Sequence, residues 1–105
     1  MLFITNRFPT QTIRTRVGRA FDFDLKNNAA SNSVFYCRRL GKEQYEEIGG
    51  FNLMSELKAS PYRQLLVYIH GFSNLPEGVF EGASEFQALC DAQKQHELLV
   101  LPIVW

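Results

Sequence analysis

The sequence predicts an α/β fold in which N-terminal strands are followed by a right-handed strand–helix–strand (βαβ) unit. Two runs, "LLVYI" at residues 65–69 and "LLVLPIVW" at residues 98–105, are apolar throughout, as strands covered on both faces of a parallel sheet are. Between them, residues 75–95 have the period of an amphipathic helix. A helix that joins two parallel strands crosses over with a right hand, so we expect that hand here.

The predicted helix has a start signal and one apolar face. Asn74 can cap its first turn, Pro76 fits there because its missing N–H would be unpaired, and Glu77 stands three residues after the cap. The side chains that fall close to one face are apolar, namely Val79, Phe80, Ala83, Phe86 and Cys90. His96 stands at the helix C-terminus, where we expect a surface residue that compensates the helix dipole.

The segments before this unit are predicted to be mainly strands. Three of them have strand patterns: "MLFIT" at residues 1–5, the alternating "FDFDL" at residues 21–25, and "VFYCRRL" at residues 34–40. Three others are less regular: a loop at residues 26–33, a strand or irregular arm at residues 11–17, and a short helix around residues 52–58.

The bulk properties indicate one small domain, residues 1–105. A hydrophobic content of 46% argues against disorder. No segment approaches the roughly 18 consecutive apolar residues of a membrane span, and the start lacks the features of a signal peptide. Two cysteines, Cys37 and Cys90, are too few for a disulfide framework. We therefore expect reduced thiols in a cytoplasmic protein with no membrane partner.

The net charge is zero, but the charges are unevenly distributed. Residues 1–42 hold eight Lys and Arg against two Asp, whereas residues 43–105 hold three Lys and Arg against nine Asp and Glu. A basic half can bind nucleic acid, or the two halves can face and neutralise each other. The basic residues are interspersed and no nucleic-acid-binding signature accompanies them, so we expect no nucleic-acid partner.

The segment His70-Gly71-Phe72-Ser73-Asn74 is the candidate functional site. It follows an apolar strand and precedes the predicted helix, and ligands of parallel α/β sheets bind outside the carboxyl ends of the strands. Gly71 lets the backbone bend sharply. The N–H groups that follow lie near a helix N-terminus, which favours negative charge. Such a turn suits an oxyanion hole.

Residues 64–105 resemble the third strand, oxyanion loop, first helix and fourth strand of the α/β-hydrolase superfamily. The match rests on "LLVYIHGFSN" and "LLVLPIVW", and "MLFITNRF" is similar to the opening of a poorly characterised bacterial hydrolase-like subgroup. The resemblance implies that Phe72 supplies a backbone N–H to the oxyanion hole, while His70 and Gly71 shape the loop. It also implies an esterase- or lipase-type serine hydrolase that acts on a small ester-like substrate.

The chain departs from that family in its catalytic residues. The nucleophile of the family sits in a G-x-S-x-G elbow after the fifth strand, and this sequence contains no such motif. Ser84 in "GASEF" falls within the predicted helix instead. The sequence ends at Trp105, where the fourth strand should end, so we expect an incomplete hydrolase-type sheet that is not catalytic alone.

Other chemistry is not indicated. Asp22 and Asp24 alternate on a predicted strand and so share a side, but they have no third ligand in view. We therefore expect a solvated face, with no metal and no cofactor. Cys37 precedes Arg38 and Arg39, which could lower its pKa, yet no histidine is near it in sequence. Cys90 lies on the apolar helix face and is predicted to be inert.

Three interpretations follow from the resemblance. The chain is the N-terminal portion of a longer hydrolase-like protein, a subunit that completes its sheet with a partner or a second copy, or a non-catalytic interaction module. We favour the first. Without a fifth strand, residues 65–69 would be an open apolar edge that invites pairing. Pro102 lacks a ladder donor, which predicts an edge or a bulge at the last strand.

Overall fold

A computed structural model of the chain describes residues 1–12, 14–71, 75–94 and 97–105. Its strands are β1 (Leu2–Arg7), β2 (Ala20–Phe21), β3 (Ala30–Gly41), β4 (Gln44–Glu47), β5 (Gln64–Ile69) and β6 (Leu98–Val104). Its helices are α1 (Gly50–Ala59) and α2 (Pro76–Lys94). The predicted α/β class is therefore confirmed. In the described part of the chain, no helix is long and apolar enough to cross a membrane.

The described strands form one mixed sheet in the order β2-β4-β3-β1-β6-β5. The strand β6 runs parallel to both β5 and β1, and the remaining pairs are antiparallel. The helix α2 connects β5 to β6, so two adjacent parallel strands have a helix between them, as the sequence predicts. This arrangement makes β5 the outer strand of the parallel half.

The register of the strands assigns their side chains to two faces. Phe3 pairs with Cys37 and Thr5 pairs with Val104, and Phe3 packs on Phe80 of α2 with ring centroids 4.7 Å apart. Because side chains alternate along a strand, these residues share the face that α2 covers. The intervening residues point to the opposite face, where α1 makes contacts with β3.

An aromatic cluster fills the space under α2. Phe3, Phe23, Tyr45 and Phe80 are each no more than 5% exposed, and Phe3 lies within 6.1 Å of each of the other three rings. The alternation predicted at residues 21–25 appears here, since Phe21 and Phe23 are buried and Asp22 is exposed. The paired strand itself is shorter, because β2 ends at Phe21 and Phe23 makes an isolated bridge.

Several predicted boundaries are wrong. Residues 30–33 belong to β3 and not to a loop, and β4 is a strand that the patterns missed. The described residues of segment 11–17 contain no strand, and Ile13 lies outside the description. The predicted short helix starts earlier, directly after Gly49, whose φ of 82° breaks the extended backbone.

The edge or bulge predicted from Pro102 is also wrong, because β6 lies between β1 and β5. Its ladder with β1 involves only Ile103 and Val104, beyond the proline. Two residues earlier, the Val100 N–H donates to Gln87 Oε1 of α2. Alternate N–H groups of a strand point the same way, so the position of Pro102 points away from β5, and its missing donor leaves the β5–β6 ladder intact.

The uneven charge distribution is explained by pairing within the chain. The described ion pairs join Arg19 to Glu47, Arg38 to Glu56 and Arg39 to Glu77. Each pair takes its cation from residues 1–42 and its carboxylate from residues 43–105. The two halves therefore neutralise each other, as one of the two interpretations of the charge pattern expected.

Candidate active site at the carboxyl edge of the parallel strands

Three chain segments meet at one edge of the sheet. The strands β1, β6 and β5 are parallel, so their carboxyl ends at Arg7, Val104 and Ile69 lie on the same side. His70 and Gly71 follow β5, and Trp105 follows β6. This is the edge at which ligands of parallel sheets bind.

His70 is buried and held on both sides of its ring. Its Nδ1 lies 2.7 Å from the Gly71 carbonyl oxygen, and its Nε2 accepts a hydrogen bond of 3.0 Å from the Trp105 backbone N–H. The Trp105 indole stacks on the imidazole with centroids 5.0 Å apart, and Trp105 Nε1–H donates to the His70 carbonyl at 3.2 Å. His70 thus ties the end of β5 to the end of β6.

These bonds define the role of His70. An Nε2 that accepts from an N–H cannot itself carry a proton, so Nδ1 carries it and donates to the Gly71 carbonyl. Both ring nitrogens are then engaged by the backbone. His70 is a positioning residue that fixes Gly71 and the ends of β5 and β6.

The other predicted loop residues are only partly described. Gly71 is exposed, and its carbonyl oxygen faces His70. Phe72, Ser73 and Asn74 lie outside the described residues, so the oxyanion donor and the helix cap stay predictions. His96 also lies outside them. Ser84 is exposed within α2, on a helix and not on a strand-to-helix turn.

The alternative chemistries gain no support from the structure. Burial raises the pKa of Cys37, and Glu47 raises it further, so the neighbouring arginines do not activate this thiol. Cys90 is partly buried and free. Asp22 is exposed, and the described residues contain no group of three ligands suited to a metal ion.

Glu77 lies in the first turn of α2, as the sequence predicts, and also makes contacts that the sequence does not predict. Its carboxylate accepts from Arg39 Nε at 3.0 Å and from Arg39 Nη2 at 2.6 Å, and Tyr45 Oη–H donates to it at 2.5 Å. Hydrogen bonds from Arg39 and Tyr45 lower the pKa of Glu77, and burial together with Glu77 raises the pKa of Tyr45. The carboxylate therefore fastens the first turn of α2 to β3 and β4.

Replacing Glu77 with glutamine should reduce the loss in free energy of unfolding that occurs at acidic pH. The folded-state pKa of Glu77 lies below its ordinary value of 4.5, so its contribution is present above that value and lost as the pH falls through the folded pKa. Urea unfolding at about pH 7 and about pH 3 measures this. Glu85→Gln, at an exposed position on the same helix, should leave the pH dependence unchanged. An equal change in both variants would contradict the assignment.

An open pocket of about 310 Å³ lies beside this carboxylate. Asp22, Glu43 and Glu77 line it together with apolar groups of Phe23 and Leu75. Leu75, which lines the pocket, comes directly after residues 72–74 in the sequence. Sequence spacing could not have revealed it, because its walls come from the β2 region, β4 and α2.

Comparisons with protein-family models, with curated proteins and with solved structures find no match to this chain.

Proposed function

We propose that this chain is the oxyanion-loop portion of an α/β-hydrolase-like protein of the serine esterase or lipase class. The observation that supports the proposal is the turn after β5. It stands at the carboxyl edge of parallel strands, precedes α2, and is fixed by His70 through the ends of β5 and β6.

In the proposed mechanism, the loop binds negative charge that develops on a carbonyl oxygen. The Phe72 backbone N–H donates to the oxyanion of the tetrahedral intermediate, and Gly71 allows close approach of the substrate. Donors fixed before the reaction stabilise the transition state more than the ground state. The substrate class is a small ester. The nucleophile comes from sequence outside these 105 residues, since the chain has no G-x-S-x-G motif.

We also propose a cytoplasmic location. Cys37 and Cys90 are both free thiols in the structure, and unpaired thiols are usual in a reducing compartment.

The oxyanion donor is tested by removing one N–H. Phe72→Pro deletes the proposed donor, whereas Phe72→Leu changes the side chain and keeps the N–H. In the protein as its own cell makes it, Phe72→Pro should lower kcat for p-nitrophenyl ester hydrolysis by about 10²–10³-fold, with Phe72→Leu close to the wild type. Equal activity of the two variants would contradict the proposal. The isolated 105-residue chain should show no ester hydrolysis.

A second candidate function is a non-catalytic subunit that completes its sheet with a partner chain. The outer position of β5 favours it. Leu65, Val67 and Ile69 are 45%, 48% and 68% exposed on the face away from α2. An exposed apolar edge strand is a template for pairing with another chain.

Placing a charge on β5 should weaken any such association. Ile69→Lys introduces an ammonium group on β5, the outermost of the described strands, and is expected to shift the isolated chain towards monomer in light scattering. Leu89→Lys is the matched control, because Leu89 is 64% exposed on α2, far along the chain from the edge. A wild-type chain that stays monomeric at high concentration would rule out association through β5.

A further inference from the structure

Arg7 is a buried cation at the carboxyl edge. It ends β1, and the buried residues of that strand are Phe3, Thr5 and Arg7. The Arg7 backbone N–H donates to Thr5 Oγ at 3.1 Å, and Thr5 Oγ–H donates to the Val104 carbonyl at 2.7 Å. The residue is only 6% exposed. These bonds fix the Arg7 backbone at the end of β1 beside β6, and the side chain is buried there.

Two nitrogens of the Arg7 side chain have no acceptor among the described residues. Nε and Nη2 of Arg7 are buried and make no hydrogen bond within the described part of the chain. These two atoms form one edge of the guanidinium, whose parallel N–H groups match the two oxygens of a carboxylate or phosphate. A buried donor without an acceptor is costly, and a buried charge more so.

In Arg39, the same two guanidinium nitrogens have acceptors. Its Nε and Nη2 donate to the two carboxylate oxygens of Glu77, at 3.0 Å and 2.6 Å. Arg39 is the more exposed of the two arginines, yet it has the full bidentate pair. The contrast indicates that the edge of Arg7 is shaped for an acceptor from outside the described residues.

Asp24 does not fill this role. It is close enough that its charge raises the pKa of Arg7, against the larger lowering by burial. No hydrogen bond or ion pair joins the two side chains among the described residues. Asp24 Oδ1 instead accepts from the Lys26 backbone N–H at 3.2 Å.

We propose that Arg7 anchors an anion-binding site at the carboxyl edge of β1, which takes a carboxylate or phosphate group on its Nε and Nη2. The inference stands apart from the proposed hydrolase activity, because it rests on β1 and β6 and not on the His70-Gly71 turn.

The test is the melting temperature of the 105-residue chain, titrated with sodium phosphate or sodium acetate at constant ionic strength with chloride. Saturating anion should raise Tm by about 5 °C or more. The better of the two anions names the ligand chemistry. A wild-type Tm that responds to neither would overturn the proposal.

Two variants separate the site from general charge effects. Arg7→Met should abolish the anion response while leaving Tm in chloride unchanged or higher, because replacing an unpaired buried charge with an apolar group is not destabilising. Arg63→Met removes an exposed cation just before β5, at the opposite edge of the parallel strands, and should respond like the wild type. An equal response of Arg7→Met and the wild type would overturn the proposal. A Tm response to the anions that appears only in the Asp24→Asn variant would also overturn the proposal, because Asp24 would then be the natural partner of Arg7.

Discussion

Replacing Phe3 with alanine should lower the free energy of unfolding by about 3–5 kcal/mol, the largest effect that we expect from a single substitution. Phe3 is fully buried at the centre of the sheet. Its ring contacts Phe23, Tyr45 and Phe80, so the variant would leave a cavity between the sheet and α2. The aromatic contacts add to the transfer free energy that is lost with the ring.

The control is the same substitution at an exposed position. Phe51 of α1 is 85% exposed, so Phe51→Ala should change the free energy of unfolding by less than about 0.5 kcal/mol. Urea unfolding followed by circular dichroism measures both variants. Similar losses for the Phe3 and Phe51 variants would contradict the burial of the Phe3 ring between the sheet and α2.

Replacing His70 with alanine should cost about 2–3 kcal/mol of stability. The variant removes the acceptor of the Trp105 N–H, the bond to the Gly71 carbonyl and the stacked ring pair. Hydrogen bonds are worth about 0.5–1.5 kcal/mol each and a stacked pair a similar amount. The loss should be local to the ends of β5 and β6.

Amide hydrogen exchange distinguishes this local role from a general one. In His70→Ala the Trp105 amide should exchange faster, while amides in β3 should change only with global stability. Trp105→Phe serves as the control, because it keeps the backbone donor and an aromatic ring and loses the indole bond to the His70 carbonyl. We expect it to cost about 1 kcal/mol. An unchanged exchange rate of the Trp105 amide in His70→Ala would contradict the role of His70 in joining the ends of β5 and β6.

The fold could be predicted where the signal is local. The helix α2 and the strands β1, β5 and β6 have long apolar patterns, and each appears within a few residues of its expected bounds. The strand β4 and the first residues of β3 could not be predicted from local apolar patterns. Both are short or polar, and they exist because Cys37 pairs with Glu47 and Arg7 with Ala30.

The site was predictable only in part for the same reason. His70 stands out in the sequence, but its partner Trp105 is 35 residues away and depends on the pairing of β5 with β6. Glu77 has a good local explanation as a capping residue, yet its bonds go to β3 and β4. Nothing local marks Arg7, because its burial depends on neighbours that only the folded chain brings together.

The hydrolase proposal is tested by fluorophosphonate labelling of the protein as its own cell makes it, with the modified residue located by mass spectrometry. The proposal predicts one labelled serine, and it predicts that this serine lies outside residues 1–105. A protein that does not label would contradict the hydrolase assignment. A label on Ser73 or Ser84 would contradict the proposal that the nucleophile lies outside residues 1–105.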